Sequence, residues 1–116
     1  MALCKTHYVY LIQAGLCHFK VGISKHPKRR LRNMQGGCPL EMTLLSAVGP
    51  VPHQFALRFE QAILKAMAPF HSHGEWLDIP DYAIVDALKE TMRLWMSWGF
   101  DKVIQSEAWK ELLANG

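Results

Sequence analysis

The chain has 116 residues, of which half are hydrophobic and a fifth are charged. A chain of this length is typical of one domain that buries its own core without metal or disulfide cross-links, so we predict a single domain over residues 1–116. The apolar residues alternate with polar ones and never form the run of about 20 that a membrane span needs, which excludes a membrane-spanning protein. The N-terminus lacks a basic stretch followed by an apolar one, so we expect a cytoplasmic location.

The net charge of +3 conceals an asymmetry along the chain. Residues 1–70 hold nine Lys or Arg and two acidic residues, whereas residues 71–116 hold four basic and eight acidic residues. Six of the thirteen basic residues lie between Lys20 and Arg32, with no acidic residue among them. Such a cluster favours binding of a polyanion such as nucleic acid. A solvated helix face is the alternative interpretation.

The cysteines and histidines give no clear metal motif. Cys4, Cys17 and Cys38 are odd in number and form no CxxC pair, so we interpret them as reduced thiols rather than a disulfide framework or a zinc site. The segment His71-Ser72-His73 lacks Cys or carboxylate partners at ligand spacing. A polar loop is therefore preferred to a structural zinc site at this position.

The first half of the chain predicts three strands and one basic helix. Residues 7–13 and 18–24 are rich in aromatic and β-branched residues and are separated by a short turn, which is typical of an antiparallel hairpin. Pro27 suits the first turn of a helix, which Gly36-Gly37 ends. Residues 42–48, bounded by prolines and glycine, predict a third strand.

The second half predicts helices. Apolar residues recur every four positions between residues 53 and 67, which indicates an amphipathic helix containing Glu60. Residues 70–77 are interpreted as a loop, a long helix follows from Pro80-Asp81 to Gly99, and a last helix spans about residues 106–113. Trp95, Trp98 and Trp109 are interpreted as core aromatics of these helices rather than as base-stacking residues.

These elements predict an α/β (α+β) fold. We expect a small three-stranded, mainly antiparallel sheet flanked by helices, with a core of about residues 7–77 and additional C-terminal helices over about residues 80–114. In this arrangement two neighbouring strands lead directly into the basic helix. A phenol, an ammonium group and guanidinium groups would then lie close together, in a position to bind a phosphate.

Several short motifs, in this order and spacing, resemble the GIY-YIG nuclease superfamily over about residues 7–77. Val9-Tyr10 matches the first triplet of that family and Gly22 the glycine of the second. Arg30 matches the family's catalytic arginine, and Glu60 matches its metal-binding glutamate. The segment Gly74-Glu75-Trp76 is similar to the end of a small phage and bacterial branch of the superfamily.

The chain departs from the family pattern at three positions. Tyr8 stands in place of the first glycine, and Lys20 replaces the first tyrosine of the second triplet, as it does in some branches. Met34 stands four positions after the arginine, where many members have His or Tyr. The asparagine that often follows the glutamate helix is not evident.

The chemistry of the matched residues fits phosphodiester hydrolysis, which needs a deprotonated water and neutralised charge at phosphorus. Glu60 can hold one divalent ion, for which Mg²⁺ is the expected choice, and Arg30 offers a planar fork of donors to the phosphate. Tyr10 can receive or relay a proton if nearby cations make its phenol more acidic. Lys20, if crowded by arginines, can act either as a base or as a phosphate clamp, and the sequence leaves both roles open.

The resulting hypothesis is a metal-dependent endonuclease that hydrolyses DNA. The expected catalytic residues are Tyr10, Lys20, Arg30 and Glu60, with Glu60 as the metal ligand; the expected backbone-binding residues are Lys25, Lys28, Arg29 and Arg32. Two alternatives remain: a catalytically inactive nucleic-acid binding module on the same scaffold, or a protein-interaction domain that uses the acidic C-terminal half. Monomer and homodimer are both open, and cutting of both strands would need a second site or a dimer.

Overall fold

The computed structural model describes residues 4–114; Met1–Leu3, part of the N-terminus used in predicting the location, and residues 115–116 lie outside this range. The elements, in chain order, are β1 His7–Ala14, β2 His18–Ser24, α1 Pro27–Gln35, β3 Met42–Val51, α2 His53–Ala66, β4 Trp76–Asp78, α3 Asp81–Trp98, β5 Lys102–Gln105 and α4 Glu107–Ala114. The predicted mixed α/β class is confirmed, and the predicted helices agree with the observed ones to within a residue or two.

The sheet has five strands, in the order β4-β2-β1-β3-β5, and each neighbouring pair is antiparallel. The prediction of three strands was therefore wrong in number. β4 lies within the segment interpreted as a loop, and its three residues are too few to show an alternating pattern. The four residues of β5 do not alternate between apolar and polar types either, and all four are exposed. It adds the C-terminal segment to the sheet.

The helices pack on both faces of the sheet. One face carries the larger core, in which Val9 and Leu11 of β1 meet α2, α3 and α4. The opposite face carries a smaller cluster around Tyr10, Ile12 and Met42, which is covered by α1. Because successive residues of a strand point to opposite faces, β1 contributes alternately to the two clusters.

The C-terminal tryptophans lie in the larger core, as predicted. Trp109 is fully buried and stacks on buried Trp95, with 4.8 Å between the ring centroids. Trp98 is half-buried and meets the edges of Phe55 and Phe59. The helix that carries Trp95 and Trp98 ends at Gly99, whose φ of 66° is the left-handed conformation that suits glycine.

Helix α1 has one apolar side and one basic side. Leu31 and Met34 pack onto the smaller cluster, whereas the basic residues Lys28, Arg29, Arg30 and Arg32 are exposed. Cys4, Cys17 and Cys38 are free thiols. Within residues 4–114, no helix combines the length and apolar character required to cross a membrane.

Candidate active site

The side chain of Tyr10 lies across β2 at Gly22. The two residues are register partners in the β1–β2 ladder, and Tyr10 is only 2 % exposed. A Cβ atom placed on Gly22 would lie 2.2 Å from the Tyr10 Oη atom, closer than any real contact. Because Gly22 has no side chain, the Tyr10 ring can extend from β1 over β2.

The environment of Tyr10 favours the neutral phenol. Burial is the main cause and raises its pKa above the ordinary value, while the Arg30 guanidinium lowers the pKa and the carboxylates of Glu75 and Glu60 raise it. The condition set in the sequence analysis, a phenol made more acidic by cations, is therefore not met. The sequence revealed the nearby cations but not the burial that outweighs them.

Lys20 pairs with a carboxylate that the sequence analysis did not assign to the site. Its Nζ atom donates to Glu75 Oε2 at 3.3 Å and lies 5.5 Å from the centroid of the Trp76 ring. The Lys20 side chain is 14 % exposed, and that of Glu75 is 42 % exposed. The β2–β4 ladder produces this pairing, since Lys20 faces Trp76 in register and the Val21 amide donates to the Glu75 carbonyl. Lys20 thus contacts an acid, where crowding by arginines had been expected.

Glu60 is a buried carboxyl group on α2. It is 4 % exposed, and burial, followed by the negative charge of Glu75, raises its pKa to about 7. Lys20 and Gln61 act in the opposite direction. Glu60 and Glu75 line one side of an open groove of about 490 Å³, which also includes His71 and Lys65. A group that titrates near neutral pH in a cleft is typical of a functional site.

Electrostatic coupling links all four predicted catalytic residues. Arg30 and Glu60 both shift the pKa of Tyr10, and Lys20 shifts the pKa of Glu60. Glu75 joins this group as a fifth member, because it contacts Lys20 and shifts the pKa values of both Tyr10 and Glu60. Glu75 follows Glu60 as the next acidic residue in the sequence. Only the pairing of β4 with β2, which was not predicted, brings it to Lys20.

The predicted backbone-binding residues form an exposed basic surface beside this group. Lys28, Arg29 and Arg32 lie on α1, and Lys25 lies just before it. Among the residues the structure describes, neither these four nor Arg30 forms an ion pair with a carboxylate. Five cations without acidic partners leave a positive surface free to bind phosphates.

The acidic pair fits a hard divalent cation. Mg²⁺ is usually held by one or two carboxylates and completes its shell with water and phosphate oxygens, and Glu60 and Glu75 both line the open groove. Within residues 4–114 no group of three or more His, Cys, Asp or Glu is arranged to hold a metal. His71 instead contacts the Gly74 carbonyl oxygen at 2.9 Å.

Met34 occupies a structural position rather than a polar one. Its side chain packs against the cluster that contains Tyr10 and lines a groove together with Lys20 and Trp76. The position where many members of the resembled family have a polar ring is therefore apolar here.

Comparison with known proteins identifies the domain. The family model of the T5orf172 domain matches residues 7–96, which include every residue of the candidate site from Tyr10 to Glu75. This domain is found in phage and bacterial nuclease-like proteins and is associated with DNA binding. A search among curated proteins gives no significant match. Because the family model covers well over half of the chain, this protein belongs to the T5orf172 domain family.

Proposed function

We propose that the protein is a metal-dependent endonuclease of the GIY-YIG type that hydrolyses DNA phosphodiester bonds, with Tyr10, Lys20, Arg30 and Glu60 at one site. The observation that carries the proposal is the proximity of these four groups, which come from β1, β2, α1 and α2: Arg30 and Glu60 shift the pKa of Tyr10, and Lys20 shifts the pKa of Glu60. A charge shifts the pKa of another group appreciably only at short range, which supports assigning the four residues to one site.

Arg30 is proposed to bind the scissile phosphate. Its guanidinium is exposed on α1 and lies next to the Tyr10 phenol. It forms no ion pair with a carboxylate among the residues that the structure describes. A planar guanidinium can donate two parallel hydrogen bonds to phosphate oxygens, which a lysine cannot do. The remaining exposed cations of α1 would then hold the neighbouring phosphates of the same strand.

Tyr10 and Lys20 are proposed to act as donors to the phosphate. With its pKa raised, the Tyr10 phenol keeps its proton at neutral pH and donates a hydrogen bond to a phosphate oxygen. Lys20 forms an ion pair with Glu75 at 3.3 Å, and it is proposed to act as a phosphate clamp through this fixed positive charge. Both donors would offset the negative charge that develops at phosphorus.

Glu60 is proposed as the metal ligand, with Glu75 beside it. A divalent ion bound there would supply a Lewis acid for the phosphate and lower the pKa of a bound water. Without the ion, the pKa of Glu60 is raised first by burial and then by the negative charge of Glu75. A divalent cation bound by the two carboxylates would offset the negative charge of both.

Nicking of supercoiled plasmid by the purified protein tests the proposal. We expect Mg²⁺-dependent nicking that is abolished by EDTA, by Glu60→Gln and by Arg30→Ala. Glu111→Gln on α4 and Arg93→Ala on α3 serve as controls that remove the same charges at exposed positions away from the site. Absence of nicking by well-folded protein, or nicking unaffected by the two site variants, would contradict the proposal.

A DNA-binding module without turnover is the second candidate. The basic surface of α1 supports binding by itself, and Lys20 stands where the resembled family has a tyrosine. This candidate predicts salt-dependent binding of DNA with no nicking at any divalent-ion concentration. Nicking that depends on Glu60 would eliminate it.

A further inference from the structure

Two grooves meet at Trp76, on the face of the sheet that carries α1. The larger, of about 460 Å³, is lined by Lys20, Asn33 and Met34 among others, and the smaller, of about 260 Å³, by His18 and His73 among others. Trp76 and Cys38 line both. The larger groove is in the size range of small-ligand clefts, which is roughly 300–1,000 Å³.

Trp76 is placed to present its ring to these grooves. It is only half-buried, although it packs against the cluster around Tyr10 and lies beside the Lys20 ammonium group. The function proposed above uses Lys20 but leaves the indole without a role. A large aromatic ring that remains partly exposed beside a cation offers a flat surface for stacking.

The charge around the larger groove is suited to nucleic acid. Asn33, which lines it, follows Arg29 and Arg30 by one helical turn on the exposed side of α1. Residues three or four apart on a helix lie on one side, separated by about one turn, or about 5.4 Å. That spacing is of the order of the distance between the phosphate and the base of one nucleotide. Both arginines are exposed, and within residues 4–114 neither forms an ion pair with a carboxylate, so a phosphate can reach them.

We propose that the groove between Asn33 and Trp76 binds an unstacked nucleobase whose phosphate lies at Arg30, so that the substrate class is DNA with an unpaired base. The proposal rests on the nucleic-acid binding part of the function proposed above. The base stacks on the Trp76 ring, and the Asn33 amide, which both donates and accepts hydrogen bonds, meets its edge.

Fully paired DNA is the poorer ligand in this arrangement. Its bases are stacked inside the duplex, and one of them must be extruded at a cost before it can reach a side-chain pocket. This cost is smallest for a base that is already unpaired, as in a bulge, a flap or a single-stranded end. The groove therefore selects such sites without reading a sequence.

Binding measured by fluorescence anisotropy in EDTA tests the proposal without cleavage. Three labelled DNAs of equal length are compared: a perfect duplex, the duplex with a one-nucleotide bulge, and the same bulge lacking its base. We expect the intact bulge to bind roughly tenfold more tightly than the other two, because stacking of one base on an aromatic ring has about this effect. Equal binding of the bulge with and without its base would overturn the proposal.

Variants of the groove separate base binding from general effects on folding. Asn33→Ala and Trp76→Leu are expected to reduce the preference for the intact bulge to less than threefold, and Trp76→Phe, which keeps a ring, is expected to retain most of it. Tyr82→Leu, at an exposed aromatic residue of α3, is the control. A preference that survives Trp76→Leu contradicts the proposal, and this ratio does not depend on the fraction of folded protein.

The outcome is independent of catalysis. If the protein prefers the unpaired base but never nicks DNA, the result would support base binding in the groove and contradict the proposed endonuclease activity. If the protein binds and nicks a perfect duplex and a bulge equally well, the result would support the endonuclease activity and contradict base binding in the groove.

Discussion

The phenol of Tyr10 fills the space that a side chain at position 22 would need. The clash with an added Cβ involves the Oη and Cζ atoms of Tyr10, at 2.2 and 2.3 Å, and the tyrosine is too deeply buried to move aside freely. The glycine of the second triplet is thus required by the tyrosine of the first. The two motifs act as one structural unit, joined by the β1–β2 register.

Gly22→Ala is therefore expected to displace the Tyr10 ring. We expect a loss of about 1–3 kcal/mol in the free energy of unfolding, the usual cost of overpacking, together with loss of nicking. In Gly22→Ala/Tyr10→Ala the clash is relieved, so the double variant should be no less stable than Tyr10→Ala alone. Urea unfolding of the four proteins measures this coupling.

Gly37→Ala is the matched control, since nothing lies within 4 Å of an added Cβ at that position. It should unfold like the wild-type protein. Additive effects of the Gly22 and Tyr10 substitutions would show that the two side chains do not compete for space.

The raised pKa of Glu60 makes the stability depend on pH in a defined direction. In the folded protein its pKa is about 7 against an ordinary value of 4.5, so between these values the folded state binds more protons than the unfolded state. The contribution is fully present below pH 4.5 and is lost as the pH rises to about 7. Above pH 7, the folded protein carries an unfavourable buried charge.

Glu60→Gln should therefore stabilise the protein at pH 8 and have little effect at pH 4.5. We expect a gain on the order of 1–2 kcal/mol at pH 8, because solvent in the groove screens part of the burial effect. Urea unfolding in EDTA at several pH values measures it, with Glu111→Gln as the control. A constant difference between wild type and Glu60→Gln across this range would contradict the assignment.

Binding of a divalent ion at Glu60 should stabilise the folded protein. At a Mg²⁺ concentration of ten times Kd, the free energy of unfolding rises by about 1.4 kcal/mol if the unfolded chain does not bind the ion. In thermal unfolding at increasing Mg²⁺ concentration, the Tm of the wild type should rise, and the Tm of Glu60→Gln should not change. An equal rise in both proteins would place the ion elsewhere.

The basic surface of α1 should determine the salt dependence of DNA binding. Each phosphate contact contributes about 0.9 to the slope of log Kd against log salt concentration, so Arg29→Ala/Arg32→Ala should reduce that slope by about 2. Lys89→Ala/Arg93→Ala removes the same charge from exposed positions on α3 and should leave the slope unchanged. Similar slopes for the two double variants would show that the basic surface of α1 does not contact DNA.

The sequence predicted those parts of the structure that have a local signal. The hairpin of β1 and β2 was recognised from its aromatic and β-branched residues on either side of a short turn, and α2 was recognised from apolar residues that recur every four positions. β4 and β5 were missed because one is three residues long and the other is exposed throughout, and their place in the sheet depends on long-range pairing. Sheet formation by such segments is a tertiary effect.

The candidate site follows the same division. Four of its residues are predicted from motif spacing, whereas Glu75 was not named because its contact with Lys20 joins positions far apart in the chain. The direction of the Tyr10 pKa was also missed, since burial depends on the packing of the whole sheet and α1. Charges could be counted in the sequence, but their distances and their exposure to water could not.

The pairing of Lys20 with Glu75 allows its two possible roles to be separated. A clamp needs only a positive charge near the phosphate, whereas a base must lose a proton, which arginine does not do. Because Lys20 forms an ion pair with Glu75 and is proposed as a clamp, we expect Lys20→Arg to keep the cleavage rate within about tenfold of wild type. Lys20→Met should lose about 10²-fold or more, as when one donor to a transition-state oxyanion is removed. Single-turnover cleavage of labelled DNA at saturating protein measures both, with Lys89→Met as the control. If Lys20→Arg is as slow as Lys20→Met while both bind DNA normally, Lys20 is the base and Glu75 serves to accept or hold its proton.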